Sequence, residues 1–180
     1  MIALLAGCGS FDETTSSTSS AQGTVIGSTS DNYPTTFIDI VITKFNEDEN
    51  NLLTGKTAKY AVNQYNITYN TKDANGNPTI ASAKLLVPSF NQNLNVVLYL
   101  NYATKTLDSS AGTNTYADFS NFNGDADTIK TNISAEIHKE SLLNTIFASQ
   151  GVAVLMPDHL GFGASSGLHP YIVADGYANS

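Results

Sequence analysis

The residues able to do chemistry crowd one stretch near the C-terminal end, where Asp158, His159, Ser165, Ser166 and His169 are interleaved with Gly161, Gly163 and Gly167. Gly163-Ala164-Ser165-Ser166-Gly167 is formally a Gly-x-Ser-x-Gly. That spacing suits a nucleophilic serine when the serine sits on a sharp turn directly between a strand and a helix, with its Oγ exposed. Here the preceding apolar run, Val152–Met156, ends before Pro157, and Pro157–Phe162 intervene before Gly163. Ser165 is therefore expected inside a glycine loop and not at a nucleophile elbow. Asp158, His159 and His169 share no known metal-ligand spacing, so no metal site is assigned to them. Asp158 is expected to be a structural carboxylate that accepts hydrogen bonds from its own loop, and His159 a loop residue.

The elements that must position this loop follow from the pattern upstream of it. Val152–Met156 is short and continuously apolar, as strands buried on both faces of a parallel sheet are. Ser134–Gln150 reads as a helix: Ser134 caps its start, Ile137, Leu142, Leu143, Ile146 and Phe147 mark its apolar face, and Gly151 sits at the C′ position. His138 falls on its polar side. Val96–Leu100 is a second buried-type strand, and strand, helix, strand in this order is a right-handed crossover. Tyr60–Asn70 alternates with Tyr65, Ile67 and Tyr69 on one face, and Thr79–Val87 alternates with Ala81, Ala83, Leu85 and Val87 on one face.

Between these two runs, Asp73-Ala74-Asn75-Gly76-Asn77-Pro78 begins like a calcium loop. Its sixth position is Pro78 where glycine is needed, and its twelfth is Lys84 where glutamate is needed, so an Asn-Gly hairpin turn is the better account. Tyr33–Val41 is apolar enough for a strand or a short helix. Asn101–Lys130 is a long polar loop carrying Tyr102, Tyr116, Phe119 and Phe122, a length at which loops are usually functional. Pro170, favoured at a first helical position, opens a helical spacing of Tyr171, Ala174 and Ala178.

Composition narrows the class. The chain of 180 residues carries a net charge of −8, and all eight of its basic residues are lysines. Without an arginine fork or a lysine stripe, nucleic acid is not an expected partner. Gly9–Asn32 is rich in Ser, Thr and Gly and reads as a disordered tether. The single cysteine is Cys8, and Leu5-Ala6-Gly7-Cys8 resembles the lipobox of bacterial lipoproteins. That resemblance implies export, lipidation of Cys8 and a membrane anchor at the cell envelope, with residues 1–8 as the remnant of a signal.

Met156-Pro157-Asp158-His159-Leu160-Gly161-Phe162-Gly163-Ala164-Ser165, continued by Gly167-Leu168-His169-Pro170-Tyr171, resembles the Pro-Asp-x-x-Gly-x-Gly-x-Ser loop of the α/β-hydrolase superfamily. Phe147–Gly151 and Ala81–Pro88 fit the same pattern, which is similar to bacterial lipoprotein esterases and secretory lipases. The resemblance implies an α/β fold in which residues 33–180 form the N-terminal part of a hydrolase sheet, an antiparallel hairpin leading into a parallel β-α-β unit. It further implies a serine ester hydrolase, acting on a small-molecule or lipid ester without a cofactor. Its nucleophile, acid and histidine would lie downstream of Ser180, leaving these residues inactive alone. Asp158, Gly161, Gly163, His169 and Tyr171 would shape the loop beside the active site. Backbone N–H groups of Tyr102 or Ala103 would serve half of the oxyanion hole, although relatives carry His-Gly-Thr or a glycine run where this chain has Asn101-Tyr102-Ala103-Thr104. That departure leaves open a second reading, a non-catalytic surface lipoprotein that keeps the fold for binding.

Overall fold

The computed structural model describes residues 21–48, 50–90, 94, 97–99 and 139–167. They form a five-stranded sheet in the order β1-β2-β3-β5-β4. Its strands are β1 (Val25–Tyr33), β2 (Val62–Lys72), β3 (Pro78–Pro88), β4 (Val97–Tyr99) and β5 (Ala153–Pro157), with helices α1 (Thr35–Asp48) and α2 (Lys139–Ser149). β4 and β5 pair in parallel, and the remaining neighbours are antiparallel. The expected hairpin is β2–β3, and the expected crossover is β4-α2-β5.

The register explains the two alternating patterns. Tyr65 pairs with Leu85, Ile67 with Ala83 and Tyr69 with Ala81, so the two apolar sets read from the sequence share one face of the sheet. The other face takes the helices. There Val62, Leu86, Val154 and Met156 cluster with Phe37, Ile38, Val41, Ile42 and Phe45 of α1 and with Ile146 and Ala148 of α2. Burying each of these side chains other than Ala148 contributes about 1.5–3 kcal/mol. Ser82 and Lys84 lie on this helix-covered face, and both are buried. The middle of β3 is thus enclosed on both sides, since Ala81 and Ala83 on its other face are buried too.

Two expectations need correction, and one open alternative is decided. The tether assigned to residues 9–32 overlaps β1, which pairs with β2 from Val25↔Tyr69 to Tyr33↔Val62. β1 is an edge strand exposed along its length except at Tyr33, so its residues show no apolar alternation and its polar composition resembles a linker. For the stretch Tyr33–Val41, read as a strand or a short helix, the structure takes the helix: Tyr33 ends β1, and α1 runs from Thr35. Its apolar positions, Phe37, Ile38, Val41, Ile42 and Phe45, follow helical spacing, a period that becomes visible only when Ile42 and Phe45 are counted with the rest. In α2, Phe147 is exposed, while Asn144, Thr145, Ile146, Ala148 and Ser149 are buried. Of the expected apolar face, Ile146 is buried in the core and Leu143 packs against it, so among the described side chains Phe147 is the one that points outward. The proposed helix start at Ser134, with Ile137 and His138, lies outside the described residues.

The hairpin tip is stapled by one carboxylate. Asp73 Oδ1 accepts the N–H groups of Asn75 and Asn77, each at 2.8 Å, and Oδ2 accepts Asn77 Nδ2 at 3.1 Å. Gly76 adopts φ +81°, and Asp73 N donates to Asn77 O at 2.8 Å. The Asp-x-Asn-x-Asn pattern thus serves the turn itself. These bonds, those from Asn77 foremost, hold the Asp73 carboxyl below its usual range.

Candidate functional site

Open α/β sheets bind ligands outside the carboxyl ends of their parallel strands. In this chain that edge is formed by the loop leaving β5 at Pro157, and the β2–β3 turn rises beside it, because β2 runs parallel to β5 across the antiparallel β3. The loop begins with a buried carboxylate, Asp158, which is 2% exposed. Asp158 N donates to Ser82 O at 2.8 Å, continuing the β3–β5 ladder past Pro157. Ser82 Oγ donates to Asp158 Oδ2 at 2.7 Å. The same Oγ accepts Ala164 N–H at 2.8 Å. Asp158 is expected to accept N–H groups of its own loop; the donor seen here is the Ser82 hydroxyl on β3, which joins the carboxylate to Ala164 N–H.

Two glycines shape the path between these anchors. Gly161 and Gly163 adopt φ +87° and +62°, a left-handed region that costs other residues energy. At Gly163 space is also forbidding. A Cβ there would collide with Ser82 Oγ and with Asp158 Oδ2. Turns closed by Phe162 N to His159 O at 3.0 Å and Ser165 N to Phe162 O at 3.1 Å complete the loop.

Ser165 stands in this loop, and its Oγ accepts Gly161 N–H at 3.0 Å. β5 has already ended at Pro157, and two turns separate the strand from Ser165. A nucleophile elbow would instead place the serine directly where the strand ends. His159 is buried at 7% exposure, so it is part of the loop's packed base and not a surface residue. A cavity of about 220 Å³ lies between the hairpin tip and the loop, with Asp73, Asn75, Thr79, Leu160, Ser165 and Ser166 on its walls. Its polar side chains are hydroxyl, carboxylate and carboxamide, and among the described residues no group of three or more His, Cys, Asp or Glu side chains could hold a metal ion.

The structure therefore brings Asp158, Gly161 and Gly163 together. Cys8, Tyr102, Ala103, His169 and Tyr171, together with the loop 101–130, lie outside the described residues. The residue that sequence reasoning missed is Ser82. In Ala81-Ser82-Ala83-Lys84 it falls on the polar side of an alternating strand, which suggests solvent, and no local spacing links it to a carboxylate 76 positions away. The one available signal was that a buried Asp158 requires a donor.

No family model matches the chain, and no curated protein matches it in sequence. Solved structures do match its fold. A ligand-bound form of the rice cell wall degrading esterase LipA from Xanthomonas oryzae superposes with a TM-score of 0.56 at 24% identity, over 84% of this chain and 33% of that one. Another structure of the same esterase gives 0.51 at 25% identity over the same shares. A candidate hydrolase from Legionella pneumophila gives 0.56 at 19% identity, over 82% of this chain and 33% of its own. The chain thus spans about a third of the length of the structures it matches, and the part it shares is an incomplete α/β-hydrolase-like sheet.

Proposed function

We propose that the α/β-hydrolase-like fold of this chain belongs to a lipid-anchored serine ester hydrolase, of which these residues supply the N-terminal part. The observation that carries this reading is the Pro157–Ser165 loop. It has the glycine pattern of hydrolases in sequence, and it leaves the carboxyl end of β5 on a sheet that superposes on an esterase. The chemistry would be acyl transfer. A serine activated by histidine attacks the ester carbonyl, the alcohol leaves with the proton the histidine took up, and water then releases the acid from the acyl-enzyme. The serine, histidine and acid belong to sequence beyond this chain. Tyr102 or Ala103 would contribute a backbone N–H to the oxyanion. Leu5-Ala6-Gly7-Cys8 supports lipidation at Cys8 and export to the cell envelope.

The test is hydrolysis of a short-chain nitrophenyl ester. The full-length protein turns the ester over, Ser165→Ala retains that turnover, and residues 1–180 alone show none. Turnover by residues 1–180 that disappears in Ser165→Ala contradicts the reading. Inactivity of the full-length protein toward a panel of esters favours instead a surface-binding lipoprotein, the reading that Asn101-Tyr102-Ala103-Thr104 supports.

A further inference from the structure

The geometry points to Ser82 as a positioning residue: its hydroxyl, on the rigid middle of β3, sets where the loop after β5 stands at the carboxyl edge of the sheet. The consequence for turnover rests on the hydrolase reading above, whereas the positioning itself does not.

Ser82 makes three bonds to one loop. Its carbonyl accepts Asp158 N–H, and its Oγ donates to Asp158 Oδ2 at 2.7 Å while accepting Ala164 N–H at 2.8 Å. A hydroxyl has one proton and two lone pairs. Committing the proton to the carboxylate fixes the rotor, and a fixed rotor directs a lone pair at Ala164. The bond to a carboxylate is charge-assisted, and the two bonds polarise each other. Both ends of the 158–164 turn are thereby tied to one oxygen.

That oxygen comes from a position with little freedom. Ser82 is 3% exposed, and β3 is paired on both sides, with β2 and with β5. Gly163 packs so closely on Oγ that a single methyl group has no room. The loop is therefore seated against Ser82 and not merely near it. Position at this edge matters, because displacing a reacting group by about 1 Å can cost about a hundredfold in rate.

The test uses the full-length protein with Ser82→Ala and Ser82→Thr, read by amide exchange and by ester kinetics. In Ser82→Ala the Ala164 amide exchanges at least about tenfold faster, because its acceptor is gone, while the β2–β3 amides keep their protection. In the same variant kcat falls about tenfold or more with KM changed less than about threefold, the pattern of a lost transition-state arrangement. Ser82→Thr keeps the hydroxyl and stays within about threefold of wild type on both readouts. Unchanged Ala164 exchange in Ser82→Ala overturns the assignment, as does an equal loss in Ser82→Thr and Ser82→Ala. Faster Ala164 exchange with unchanged kcat overturns its bearing on turnover. If the wild type hydrolyses no ester, the hydrolase reading fails, and the exchange arm alone decides the role of Ser82.

Discussion

Gly151 packs against the ring of Tyr60: a Cβ on Gly151 would stand 3.3 Å from Tyr60 Cε2. Tyr60 is itself held in place, its N–H donating to Ser149 O at 3.0 Å and its ring tilted on Phe90 with centroids 5.0 Å apart. The end of α2, the entry to β2 and the exit of β3 therefore meet at one glycine with φ +104°. Gly151→Ala has to strain the backbone and displace the ring. The expected loss is about 1–3 kcal/mol, measured as a lower urea midpoint with an unchanged slope. An unchanged midpoint would mean that neither the dihedral nor the contact constrains this junction.

At Gly163 the cost is larger, because the obstacle is a buried hydrogen-bonded pair and not the edge of a ring. Gly163→Ala meets Ser82 Oγ and Asp158 Oδ2 in addition to the positive φ. The expected loss is about 2–4 kcal/mol, with faster exchange at Ala164. Gly167 also has a positive φ, of +98°, but a Cβ there meets nothing within 4 Å, so Gly167→Ala costs only the backbone term of about 1 kcal/mol. The comparison separates steric from conformational requirement.

In α2 the prediction divides two adjacent apolar residues. Ile146 is 4% exposed and Phe147 41%. Ile146→Ala should lose about 2–5 kcal/mol, whereas Phe147→Ser stays within about 0.5 kcal/mol of wild type. Thermal or urea unfolding of the two variants decides it, and equal losses would contradict the observed rotation of the helix.

How much of this was legible in the sequence depended on burial. β2, β3 and β5 announced themselves because alternating or continuous apolar residues match their pleat, and the register of Tyr65 with Leu85 follows from placing both sets on one face. β1 was hidden because an exposed edge strand needs no apolar pattern. On α2, Leu143 and Ile146 face the core as their spacing suggests, but Phe147 was misplaced because Asn144, Thr145 and Ser149 are buried instead, with partners that sequence does not show, such as Met156 Sδ for Asn144 Nδ2 at 2.9 Å and Ile146 O for Ser149 Oγ at 2.7 Å. In the loop, the glycines and Asp158 carried a local signal. Ser82 did not, since its importance comes from a register between strands distant in sequence.

The Asp73 turn gives a pH dependence with a definite sign. Its carboxyl is held below the usual value, about 3.9 for an aspartate, by bonds from Asn77 and Asn75. A folded value below the unfolded one means that the contribution is present above the unfolded pKa and is lost as pH falls through the folded pKa. Amide resonances of Asn75 and Asn77 should therefore move with a midpoint below that of a free aspartate, and Asp73→Asn should abolish the transition. A midpoint at or above the usual value would show that the staple does not form.

On the proposed hydrolase reading, the Gly-x-Ser-x-Gly at Gly163–Gly167 is a structural loop and not the nucleophile elbow. The most direct measurement is labelling of the full-length protein with a serine-reactive fluorophosphonate, followed by mapping of the modified peptide. The account predicts one labelled serine, located outside residues 1–180, with labelling retained in Ser165→Ala. Label found on Ser165 and lost in Ser165→Ala would contradict it.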